Sequence, residues 1–217
     1  MSLALGSGHE RSTWKRHARR SRSRTRTQAE RALRSKAHKN ASDSNTTAAW
    51  GVGVKIVTIG VYGFTESAFF QAIEEAGVDT FVDLRLRRGM RGSTYAFVNS
   101  TKLQESLRER NIRYVHIKEL APSKETRAKQ KSADAVTGTA KRARVELSTA
   151  FKAAYHAQCL SSYTADQFFA AVGDDCQTAV LFCVEKQPQA CHRSLVAEFL
   201  NDAGERIEAM VDLLPEA

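Results

Sequence analysis

The chain has no apolar run near the roughly 18 residues that a membrane-crossing helix needs, so an integral membrane protein is not expected. Its 4 cysteines, Cys159, Cys176, Cys183 and Cys191, include no Cys-x-x-Cys pair. The spacing therefore gives little support for zinc, and no metal is expected. There is no apolar N-terminal segment of the kind that directs secretion. A chain of this length buries enough core to fold without disulfides, so the thiols are read as free and the compartment as reducing and cytoplasmic. Phosphate-binding Gly-rich motifs are also missing: there is neither a P-loop nor a GxGxxG. Cys183 and Cys191 lie eight positions apart with no glycine between them, which excludes the Cys-x5-Arg loop of tyrosine phosphatases. No internal repeat is present.

What is present divides in two. The chain has 217 residues, 42% hydrophobic and 26% charged, enough for one domain and a tail. The net charge of +9 belongs to one end: residues 1–50 hold 12 Lys+Arg against 3 Asp+Glu, and the remainder balances. Residues 9–39 are rich in Arg and Ser and nearly free of long apolar side chains. Such a segment cannot offset its ordering entropy by burial, so residues 1–53 are expected to be a disordered tail and residues 54–214 a single α/β domain. The tail fits a nucleic-acid arm with strong salt dependence, an organellar transit peptide or a solvated extension. Limited proteolysis is expected to trim the chain to about residue 50 and leave a stable core. Protection of residues 15–35 in the free protein would contradict this.

From Lys55 onward, strands and helices alternate. KIVTIG (55–60), TFVDL (80–84), IRYVHI (112–117), TAVLFCV (178–184) and residues 206–213 read as strands. Helices follow Thr65, Asn99 or Ser100, and Thr164, with Gln167 completing a capping box. Further helices are read over residues 144–160 and around Leu195–Leu200. Residues 118–143 are polar, basic and aperiodic, and read as a long connection of the lid or binding-loop kind. The alternation predicts a mainly parallel sheet flanked by helices, a Rossmann-like three-layer sandwich. In such sheets ligands sit at the carboxyl ends of the strands.

Those ends carry chemistry. The second strand delivers Asp83 and Arg85, the third His116, and the long apolar strand Cys183, Glu185 and Lys186, followed by Cys191, His192 and Arg193. Taken singly, Cys183 and His116 read as core residues and Asp83 with Arg85 as a structural pair. Together they predict one depression. Cys191, His192 and Asp83 are the candidate catalytic residues. Arg85, Arg193, Glu185, Lys186, His116 and Cys183 are candidates for substrate binding. A helix start after Cys191 favours an anion and lowers a thiol pKa, and His192 suits acid–base work. The expected partner is a nucleotide or nucleic acid. The two classes left open are an enzyme on a phosphate-bearing substrate and a non-catalytic nucleic-acid-associated module. A pocket for one small molecule favours the first and an open basic groove the second. The sequence names no cofactor.

The stretch CVEKQPQACHRSLVAEFL (183–200), with VTIG (57–60), VDLR (82–85), Phe97, Leu103 and YVHIKEL (114–120), resembles the domain-of-unknown-function 488 family in order over residues 55–213. The resemblance implies the α/β fold and places the site at 183–193 without implying a reaction. Where that family often carries His-Ser after the TIG strand, this chain has Val61 and Tyr62.

Overall fold

The computed structural model describes residues 53–204 and 206–216. The expected tail, residues 1–53, lies outside them apart from Gly53. Five strands form one all-parallel sheet: β1 (Val54–Gly60), β2 (Thr80–Asp83), β3 (Arg113–His116), β4 (Thr178–Cys183) and β5 (Ile207–Leu213), in the order β3-β2-β4-β1-β5. The expected α/β sandwich is present. Its strand order differs from the dinucleotide-binding order 3-2-1-4-5-6, because β4 inserts between β2 and β1.

The described residues form six α-helices. Two lie between the early strands: α1 (Glu66–Glu75) and α2 (Ser100–Glu109). Four come later: α3 (Lys124–Thr137), α4 (Thr149–Tyr155), α5 (Ala165–Val172) and α6 (His192–Asp202). The local signals explain their ends. Thr65 Oγ1 accepts the Ala68 N–H at the start of α1, and Gly77 leaves that helix at φ +69, a conformation glycine adopts without Cβ strain. Thr164 and Gln167 make the capping box of α5.

All six residues of β4 are buried, as a strand covered on both faces requires. Ala179 and Leu181 face the core shared with α4, α5 and α6. Val180 and Phe182 face the core shared with α1 and α2. The chain therefore leaves β1 and β2 toward one face and leaves β4 toward the other. β4 lies between strands whose connections go the opposite way, and such a reversal opens a crevice at the carboxyl edge.

Two elements differ from the sequence reading. Residues 118–143 are not one aperiodic connection, because α3 occupies Lys124–Thr137. Its inward residues are polar, so no apolar period marks it. Thr126 Oγ1 donates to Gln158, and the Gln130 side chain accepts from the Ser148 N–H and donates to Asp134. Nor is 144–160 one helix. Ser148 caps α4 at its start, and after Tyr155 the chain widens into a π-helical turn over His156–Leu160.

Candidate functional site

The sheet register brings the strand ends together. Gly60 pairs with Cys183, Phe182 with Asp83, and Asp83 with His116. After Cys183 the chain loops through Glu185 and Lys186, makes a short 3-10 turn at Pro188–Ala190 and enters α6 at His192. Above this edge lies a cavity of about 440 Å³, within the range for one small ligand. Cys183, Cys191, His192, Glu185 and Arg85 all line it, as the sequence predicts.

At its base two thiols meet one imidazole. His192 Nδ1 lies 3.8 Å from Cys183 Sγ and 3.9 Å from Cys191 Sγ. His192 Nε2 lies 3.2 Å from the Leu84 carbonyl. A carbonyl only accepts, so Nε2 carries the proton of that bond, and Nδ1 faces the sulfurs as an acceptor in the neutral ring and as a donor in the charged one. The two thiols are driven apart. The hydrogen bond with Cys191, reinforced by burial, pushes Cys183 well above the ordinary thiol range. Burial opposes ionisation of Cys191 too, but hydrogen bonds from Cys183 and His192 and the charges of His192 and Arg193 outweigh it and hold this thiol well below that range. Glu185 is pushed up by burial, a shift that Lys141, 3.3 Å away, only partly offsets.

Arg85 is buried, 4% exposed. Asp83 holds it by two bonds, from Nε at 2.9 Å and Nη2 at 2.7 Å, and Nη2 also donates to the Val98 carbonyl. Phe182 lies under the guanidinium at 4.6 Å. Among the described residues Nη1 has no hydrogen-bond partner. Asp83 does not line the cavity. Besides orienting Arg85, its carboxylate accepts from the Tyr114 hydroxyl at 2.8 Å.

Besides Asp83, three candidates lie outside the cavity lining. Arg193 is fully buried and does not line the cavity. Its Nε donates to Thr58 Oγ1, Nη1 to the Glu185 carbonyl and Nη2 to the Lys186 carbonyl, so it clamps the 183–193 loop onto β1. Lys186 contributes that carbonyl while remaining exposed itself. His116 opens onto a second cavity with Glu119, Cys159 and Tyr163, and its Nε2 lies 2.9 Å from the Arg85 carbonyl.

The sequence reading missed the cavity's outer wall. α3 supplies Arg127, Gln130, Lys131 and Asp134, and the segment after it supplies Lys141 and Arg144. Arg144 pairs with Asp134. Among the described residues no acid pairs with Arg87, Arg127 or Lys131 of the cavity lining. The available signals were Ser123, which caps α3, and Gly138, which ends it at φ +66. Tyr62, at the position where the chain departs from the family pattern, also lines the cavity.

Fold and site thus define an α/β-sandwich protein with a cation-rimmed pocket at the carboxyl edge of a parallel sheet. The chain belongs to the family described as domain of unknown function DUF488, whose model matches residues 66–200. No curated protein and no solved structure matches it. Among the described residues no helix is long and apolar enough to cross a membrane.

Proposed function

We propose that the domain is an enzyme acting on a small phosphate-bearing substrate of the nucleotide class, with the Cys183–Cys191–His192 cluster as its reaction centre. The observation that carries this reading is Arg85, a cavity-lining residue whose buried Nη1 has no hydrogen-bond partner among the described residues. Buried donors are nearly always satisfied, and an anionic group in the cavity would supply Arg85 with the acceptor it lacks. Arg87, Arg127 and Lys131 place further positive charge around the same space. Leu86, Met90, Leu147 and Phe151 supply apolar wall for the rest of the molecule. An anionic group and an apolar ring on one substrate would use both. α3 walls the cavity where an open basic groove would leave it free, which favours an enzyme over a non-catalytic nucleic-acid-associated module. Four free buried thiols support a reducing, cytoplasmic setting.

Calorimetry with inorganic phosphate and adenosine monophosphate tests the reading. The wild-type chain is expected to bind both. Arg87→Glu and Lys131→Glu are each expected to weaken binding about tenfold, the lower end for a hydrogen bond to a charged group. Absence of binding by the wild type, or unchanged affinity in both variants, rejects the anion site.

A further inference from the structure

The sequence offers no metal motif, yet the fold assembles the ligands of one. We infer that Cys183, Cys191 and His192 form a three-ligand site for a zinc-type divalent cation, with its fourth position open to the cavity.

The donor set comes first. Cys183 Sγ, Cys191 Sγ and His192 Nδ1 lie within 4.8 Å of one another. Two sulfurs and an imidazole nitrogen are soft to borderline donors, which suit zinc over magnesium or calcium. Tetrahedral zinc bonds sulfur at about 2.3 Å and imidazole nitrogen at about 2.0 Å, which sets sulfur and nitrogen roughly 3.6 Å apart. The two sulfur–nitrogen separations, 3.8 and 3.9 Å, are within a few tenths of that.

The surroundings agree. A metal-bound histidine usually gives its other N–H to a carboxylate or backbone carbonyl, which fixes tautomer and ring orientation. Here the Leu84 carbonyl takes that place. The Tyr155 ring packs 5.5 Å from the imidazole and restricts it further. All three ligands are nearly buried, at 6%, 2% and 6% exposure for Cys183, Cys191 and His192. Two thiolates and one divalent cation sum to no net charge, which limits the cost of that burial.

The ligand count indicates a use. Structural zinc sites close with four protein ligands, whereas catalytic ones keep three and leave a position for water or substrate. The other two cysteines are elsewhere: Cys159 and Cys176 are buried in the core shared with α4, α5 and α6. All three ligands line the cavity, so the open position faces the space assigned to the substrate. The inference rests on the proposed function only for what occupies that position; cation binding is independent of it.

The test uses the full chain, kept reduced with a non-thiol reductant and freed of metal by dialysis against chelator. Zinc is titrated against a chromophoric chelator, and cobalt serves as a spectroscopic probe. One equivalent of zinc is expected. Cobalt is expected to give a thiolate-to-metal charge-transfer band and the intense visible bands of a tetrahedral ion. Cys183→Ser and Cys191→Ser should each lower zinc affinity at least about 100-fold, no less than the loss of an outer-shell partner. Cys176→Ser should leave it unchanged. Should serine at 183 or 191 unfold the chain, peptide mass spectrometry of the wild type decides: zinc should slow alkylation of Cys183 and Cys191 and of no other thiol. No stoichiometric uptake, cobalt uptake without the charge-transfer band, or a Cys183–Cys191 disulfide in place of metal binding would each overturn the inference. Zinc uptake without phosphate binding upholds the metal site and rejects the phosphate reading; phosphate binding without zinc does the reverse.

Discussion

Replacing Arg193 with Met is expected to lower the stability of the domain by about 3–5 kcal/mol, near the top of the range for single substitutions. Met roughly keeps the volume and removes every donor. Three acceptors then lose their partner: Thr58 Oγ1 at 3.1 Å, the Glu185 carbonyl at 2.5 Å and the Lys186 carbonyl at 3.0 Å. Each is a hydrogen bond to a charged group, about 1.5–3 kcal/mol apiece, although bonds that share one side chain do not add fully. The loss also spreads. Thr58 Oγ1 donates onward to Asp212 of β5, so the guanidinium reaches its nearest carboxylate in this chain of bonds through that hydroxyl. Arg193→Lys should recover only part, because a single ammonium cannot span three acceptors set around a planar fork. In urea the midpoint should fall while the slope stays constant. An unchanged midpoint together with lost phosphate binding would return Arg193 to the anion-binding role expected from the sequence.

The place of Arg193 shows what the sequence could and could not convey. Strand ends are readable because apolar runs stop at them, so the sequence alone places Cys183, Glu185 and Arg85 on one edge. Cys191 and His192 followed because α6 begins there. Side-chain direction was not readable. Arg193 sits one residue beyond His192, yet it turns under the loop, where charge gave no hint of full burial. His116 is in register with Asp83, but β3 is two places from β4 in the sheet. At about 4.8 Å per strand, that puts it roughly 10 Å from Cys183 and onto another cavity. α3 escaped because periodicity detects apolar faces, and its inward residues Thr126 and Gln130 are polar. Cys183, Cys191 and His192 were each legible as site residues, but their spacing resembles no metal motif, so their meeting as one donor set was not. Here a strand end and a helix start bring them together across an intervening turn.

Gly60→Ala is expected to be the most damaging small substitution near the site, costing about 3 kcal/mol or preventing folding, as overpacking of a tight interior does. Gly60 closes β1 beside Cys183. A Cβ on it would stand 1.7 Å from the Glu185 carbonyl oxygen, 2.7 Å from that carbonyl carbon and 2.8 Å from Arg193 Nη1. Neither neighbour can yield cheaply. One is main chain and the other is a fully buried guanidinium already bonded to that same oxygen. The strand or the loop must therefore retreat by more than about 1 Å, which breaks the clamp and displaces Glu185 together with the turn that sets Cys191 against Cys183. Zinc uptake by any folded fraction should fall with it. Gly89→Ala is the control, since a Cβ there meets nothing within 4 Å; where the backbone suits alanine, that change is expected to be neutral or to stabilise by about 0.4–1 kcal/mol by restricting the unfolded chain. A Gly60→Ala midpoint equal to that of the wild type would mean that the 183–193 loop is not seated on β1. The cysteine–histidine cluster would then lose the support that holds its geometry.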